Sequence, residues 1–216
     1  MYYLIKNSEC FYMKNVFVLS DCCFTKLGLE KLFVTNSDFE KIVFYGLNNY
    51  KEIIFHLNSK QEKMENNIII VDLSSRSKKS RVRQTINIWN LYRLAEYNKT
   101  LRKTSFLLLG KHTGIGLFSA SQISTKCSLE SVSLKIRKIL NTPENYPALG
   151  DIVMKRLCNH QKILLSKFIY GHSINAIAKS MKTHPRNIFY ARDKLIEKLG
   201  LHDKYDFAYV DINAVL

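Results

Sequence analysis

The chain has 216 residues, 46% of them apolar, enough for one large or two small domains with a genuine core. Its 33 Lys and Arg against 18 Asp and Glu leave a net charge of +15, which favours polyanionic partners, above all nucleic acid. Five scattered cysteines without a C-x-x-C pair, six dispersed histidines and no apolar run of membrane-spanning length exclude a disulfide scaffold, a metal centre and a membrane span, and place the expected protein in the cytoplasm.

The opening MYYLIKNSECFYMK lacks the long apolar core and small-residue cleavage site of a signal peptide. From Val16 the pattern alternates. NVFVLSD predicts a buried strand, and FTKLGLEKLF a helix with Leu27, Leu29, Leu32 and Phe33 at helical spacing. KIVFY predicts a second strand and NYKEIIFHLNSKQEK a second helix. NIIIVDL gives the strongest strand signal, a β-branched run bounded by Asn and Ser. A basic loop follows, RSKKSRVR at 76–83, then a helical stretch from about Val82 to Lys103 with Ile86, Trp89, Leu91 and Leu94 assigned to the core. SFLLLG predicts another strand, with a short one near Leu117 or Ile123, and SLESVSLKIRKIL a closing amphipathic helix. Strands alternating with helices predict an α/β domain with a flavodoxin-like parallel sheet over about 14–140. NTPENYPALGD, with two prolines and a glycine, predicts a linker over 141–151.

Beyond it, residues 152–216 read as all helix. Asn159 serves as an N-cap, and Leu164, Leu165, Phe168 and Ile169 form one stripe that ends at Gly171. Ser173 caps a short helix carrying Ile174, Ile177, Ala178 and Met181. Pro185 then opens a third helix, because the first helical position has no hydrogen bond to lose. Ile188, Leu195 and Leu199 face inwards, with Ala191 beside them. Arg186, Tyr190, Asp193 and Glu197 face out, flanked by Asn187, Phe189 and Lys194. A short helix, a tight turn and a longer helix with a polar, partly aromatic face predict a helix-turn-helix whose second helix fits a major groove. Arg186, Asn187, Phe189, Tyr190 and Lys194 are the groove candidates. Lys179, Lys182 and Arg192 are the phosphate candidates, although Arg192 lies towards the buried side and must reach out along its stem.

GHSINAIAKSM, RNI and KLIEKLGL resemble the LuxR-type DNA-binding domain of bacterial transcription regulators, over about 45 residues. Cys158 and Gln161 stand where that family carries Thr and Glu, and His184 where a Ser or Thr cap is common. The resemblance implies a dimer on DNA, with KYDFAYVDINAVL supplying a dimerisation helix. VFVLSDCCFTKLGLEKLF and IIIVDLS are similar to a degenerate receiver domain of NarL/FixJ-type response regulators. The resemblance implies that Asp72 is a vestigial phosphoacceptor, accompanied by Asp21, the remnant of an acidic pair now headed by Ser20, and by Lys126. Gly110 stands where a switching Ser or Thr is usual. Holding Mg²⁺ needs several oxygens, and one acid is gone. The combination resembles auxiliary regulators related to the Rcs capsule-synthesis system.

A LuxR-type regulator without cofactor or enzymatic activity is therefore expected, binding double-stranded DNA as a homodimer or as a heterodimer with another such regulator. The alternative is a module that acts by pairing with another regulator without binding DNA itself. A sigma factor would need a helical N-terminal half. GKHTGIG at 110–116 lacks the order of a phosphate-binding loop. The basic run 76–83 is expected to be a solvated loop, and Cys22 and Cys23 buried or inert thiols.

Overall fold

The computed structural model describes residues 14–34, 42–59, 67–110, 121–151 and 157–211. Apolar runs build the centre of its sheet. β1 (Lys14–Leu19), β3 (Asn67–Asp72) and β4 (Ser105–Leu109) are buried almost throughout, as parallel strands covered on both faces must be. With β2 (Ile42–Leu47) and β5 (Ser121–Ile123) they form a parallel sheet in the order β2-β1-β3-β4-β5, the flavodoxin-like arrangement. Leu117 and the rest of 111–120 lie outside the described residues.

Side chains alternate between the two faces. Val16, Val18, Ile68 and Ile70 meet Leu29 and Phe33 of α1 (Cys23–Val34) and Val132 and Ile136 of α5 (Leu129–Asn141). Phe17, Leu19, Ile69 and Val71 lie in a second cluster with Ile53 of α2 (Tyr50–Ser59) and Ile88 and Leu91 of α3 (Lys78–Ala95). Leu27 departs from expectation: it points to solvent, as does Phe24. Of the two thiols expected to be buried or inert, Cys22 is half-buried and Cys23 exposed. Hydrogen bonding to Thr25 holds the Cys22 thiol below its ordinary range.

The basic run is not a loop. α3 starts at Lys78 because the Ser77 hydroxyl accepts from Ser80 N, an N-cap that precedes the first apolar residue by several positions. The helical stretch is also broken. α3 ends at Ala95, and α4 (Lys99–Lys103) restarts on the side chain of Asn98, which accepts from Leu101 N. Residues 141–151 are no free tether. Leu149 is fully buried, its N donates to Thr104 O at 2.8 Å, and Phe106 N donates to Pro147 O at 3.3 Å.

Three further helices follow, α6 (Asn159–Ile169), α7 (Ile174–Ser180) and α8 (Pro185–Leu199). The cap of α6 is Cys158, not Asn159; the Gln161 side chain accepts from Cys158 N at 3.1 Å. At Gly171, φ is +74°, and His172 N donates back to Lys167 O at 3.0 Å, the left-handed helix end that glycine favours. Ile177 and Ala178 of α7 pack with Ile188, Leu195 and Leu199 of α8 and Leu164 and Leu165 of α6. α7, the turn and α8 form the helix-turn-helix.

This helical core is continuous with the α3 side of the sheet. Trp89 Nε1 donates to Leu199 O at 3.3 Å, and Lys78 Nζ pairs with Asp203 Oδ2 at 2.6 Å. The tail differs from expectation. Lys204–Tyr209 is a 3-10 helix capped by Asp203, and Phe207 stacks on Phe168 at 5.3 Å. Phe207 is therefore used within the chain, while Tyr205 and Tyr209 stay exposed; the described part of the segment expected to supply a dimerisation helix is this single short 3-10 turn. Residues 212–216 lie outside the described ones.

Candidate nucleic-acid interface

α8 is placed by its two ends. His184 takes the position where a hydroxyl cap is usual: its Nδ1 accepts from Arg186 N at 3.2 Å, and Pro185 occupies the first turn. An imidazole thus does the work of a serine oxygen. At the other end Gly200 has φ +69°, and Leu201 N returns to Ile196 O at 3.0 Å. It is this C-terminal end that docks on α3. The N-terminal half is free, with Arg186, Asn187, Phe189 and Tyr190 all exposed.

The exposed side chains form a layered surface. Asn187 Nδ2 donates to Thr183 Oγ1 at 3.0 Å. Lys194 reaches Glu197 at 3.0 Å and lies 5.8 Å from the centre of the Tyr190 ring; the hydrogen bond to Glu197 holds its ammonium above the usual range. Arg192 is the most enclosed of the predicted residues, its side chain 17% exposed. It stacks on Phe189 at 5.1 Å, and its Nε and Nη2 both donate to Asp193 Oδ1, at 3.0 and 2.8 Å. The Arg192 guanidinium is therefore already engaged by a carboxylate.

Lys179, near the end of α7, is exposed. Lys182, also exposed, is the one described non-glycine residue with positive φ, +51°. Thr183 N donates to Ala178 O at 3.0 Å around it, so it holds the helix-ending position that glycine usually fills. Lys182, Lys179 and the start of α8 bound one continuous turn region. Sequence reasoning named these residues but missed the strained backbone, which leaves no trace in hydrophobic spacing.

A second constellation gathers where β1 and β3 end, the place where open α/β sheets present their functional groups. Asp72 is buried and both its oxygens are used: Oδ2 accepts from Ser20 Oγ at 2.7 Å, Oδ1 from Ser74 N at 2.9 Å and also from Ser74 Oγ. Asp21 pairs with Arg83 at 3.1 Å and accepts from Gln84 Nε2 at 3.2 Å. Gly110 has φ +107°, and a Cβ there would stand 3.0 Å from the backbone after Asp72. Lys126 is exposed, and no bond joins it to Asp72 among the described residues. These groups do not fit the divalent cation that receiver folds use. A hydroxyl replaces one acid, a guanidinium neutralises the other, and the remaining carboxylate is filled by serine donors. No described helix is long and apolar enough to cross a membrane.

No family model and no curated protein sequence matches this chain. Among solved structures it is similar to the two-component response regulator RcsB in a complex with DNA, with a TM-score of 0.50 and 15% identity, over 94% of this chain and 97% of that one. Two other RcsB structures also match, both at 15% identity. One holds two RcsB dimers bound to two parallel DNAs, with a TM-score of 0.48 over 90% of this chain and 96% of that one. The other is RcsB from Salmonella enterica serovar Typhimurium on promoter rprA with phosphomimetic BeF3⁻, with a TM-score of 0.46 over 89% and 96%. At 15% identity the likeness to the first is one of fold: a response-regulator arrangement of receiver-like sheet and helix-turn-helix over nearly the whole chain.

Proposed function

We propose that this chain is a DNA-binding transcription regulator of LuxR type, with a receiver-like domain over about 14–140, a connection over 141–151 and a DNA-binding domain over about 152–216. The observation that carries the reading is the orientation of α8: docked by its C-terminal end, it offers a cationic and aromatic N-terminal half to solvent. Arg186 and Asn187 donate to base edges, Phe189 and Tyr190 supply apolar contact to thymine methyls or sugars, and Lys194 flanks them. Lys179 and Lys182 hold phosphates. Arg192 joins them only by leaving Asp193. The first matched neighbour was solved as a DNA complex, which agrees with this reading.

The receiver-like domain acts without phosphorylation of Asp72 and by pairing, in the cytoplasm. The internal bonding of Asp72 and Asp21 supports the first point. The second is supported by α1 and α5, which cover one sheet face and keep Phe24 (80% exposed), Leu27 and Leu129 in solvent. The partner is a second copy or another LuxR-type regulator. The same apolar surface favours the alternative, in which pairing alone regulates transcription.

Selection of a random duplex pool by the full chain separates the two. Wild type should enrich a motif with two half-sites, and Arg186→Ala/Lys194→Ala should lose it. A folded wild type that enriches nothing alone leaves the pairing reading. A double variant that still enriches the same motif removes α8 from base recognition.

A further inference from the structure

Between the start of α2, the middle of α3 and the C-terminal segment lies an open cleft of about 490 Å³, within the roughly 300–1,000 Å³ of small-molecule sites. It shares no residue with the groove-reading surface. Its floor is polar where helix packing would favour apolar groups. Asn87 and Asn90 line it from α3 at three-residue spacing, both buried. Asn87 is fully engaged: Nδ2 donates to Gln84 Oε1 at 3.0 Å and Asn48 O at 3.4 Å, and Oδ1 accepts from Tyr50 N at 3.4 Å. Asn90 is not. It is 6% exposed, and its Nδ2 donates to Ile86 O at 2.9 Å, while Oδ1 accepts from no described donor. Asn90 lines the cleft, which is the side from which a donor can reach that oxygen.

The rim is cationic. Lys51 and Lys79 have no ionic partner among the described residues, and Arg83 shares its charge with Asp21. Tyr50 and Tyr209 contribute rings from the two sides of the cleft. Asp211 is the only acid of this lining among the described residues. A bare anion would be served by the lysines, but it would leave the Asn90 carbonyl without a donor.

We propose that the cleft binds a nucleotide. Its phosphates lie on Lys51 and Lys79, an N–H of its base donates to Asn90 Oδ1, and a ribose hydroxyl donates to Asp211, as acids do in other nucleotide sites. Because Tyr209 and Asp211 belong to the C-terminal segment and the lysines to the sheet unit, the ligand ties the two together. The helix-turn-helix is thereby held by an input that needs no phosphorylated aspartate.

The test uses the full chain, thermal denaturation and calorimetry, with the ribonucleoside mono- and triphosphates of the four bases and inorganic pyrophosphate as probes. At least one nucleotide should bind more tightly than pyrophosphate and raise Tm by about 5 °C or more at a hundredfold excess over its Kd. Asn90→Ala should weaken that nucleotide by about tenfold and leave pyrophosphate unchanged, whereas Lys51→Ala/Lys79→Ala should weaken both by about tenfold or more. The lysine variants are surface changes and keep the test open should Asn90→Ala fold poorly. Absence of binding, or binding that both variants leave intact, overturns the proposal. So does pyrophosphate binding as tightly as any nucleotide. Arg186→Ala/Lys194→Ala should retain nucleotide affinity, so failure here and failure of the DNA reading are separate results.

Discussion

Single residues in this chain carry conformations and charges that spacing does not reveal. Lys182 is held left-handed, which costs a side-chain-bearing residue about 1 kcal/mol relative to glycine. Lys182→Gly should therefore raise Tm by roughly 2–4 °C. The same change should weaken binding to all DNA sequences alike and reduce the salt slope by about one; a stability gain with unchanged DNA affinity would remove Lys182 from the phosphate contacts. Ser20 stands 2.7 Å from Asp72. Ser20→Asp places a second carboxylate beside a buried one and should destabilise the chain by about 1–3 kcal/mol at neutral pH, with Mg²⁺ recovering much of the loss. Thermal denaturation with and without Mg²⁺ reads this directly, and wild type should not respond. The substituted acid was legible in the sequence. That Ser20 and Ser74 would bond Asp72 was not, because their convergence depends on how β1 and β3 pair.

The elements were legible where burial and period agree. β1, β3 and β4 are continuous apolar runs, and Gly171, Ser173, Pro185 and Gly200 punctuate the last three helices through backbone requirements that hold in any context. Legibility failed where a side chain far along the chain decides the outcome. α3 opens inside the basic run because Ser77 caps it, whereas apolar periodicity begins only at Val82. The tail becomes a 3-10 helix because Asp203 caps it and Phe207 finds Phe168. Trp89 illustrates the same limit: its core assignment holds, but its indole N–H serves α8, 110 residues away. Trp89→Phe should keep most of the burial and lose that bond, costing about 1 kcal/mol. The expected result is a small fall in Tm with increased proteolysis around residues 200–211 and none in the sheet.

For the whole molecule, the junction between sheet unit and helical unit combines apolar contact with one ion pair. The hydrogen bond from Lys78 holds the Asp203 carboxyl below its ordinary 3.8, and Asp203 holds the Lys78 ammonium above 10.5. The depressed carboxyl stabilises above its unfolded value and ceases to as pH falls through its lower folded one. The raised ammonium stabilises below its unfolded value and ceases to as pH rises through its higher folded one. The pair therefore acts from about pH 4 to about pH 10. It is partly exposed and contributes modestly. Fluorescence of the single tryptophan, Trp89, should report a looser junction outside that window, and Lys78→Ala should look the same at pH 7 as wild type does once the pH has fallen through the lowered Asp203 value, apart from any global unfolding.

If α8 reads a groove as proposed, its being fastened at its inner end has a consequence for the DNA it can read. With the junction closed, two paired chains would hold their α8 helices at one separation and one relative rotation. Each base pair added between half-sites turns one of them by about 34° around the duplex axis. A regulator on loose tethers could follow that turn; this one would have to break its own junction. Its operators should accordingly be strict in spacing even where they are lax in sequence.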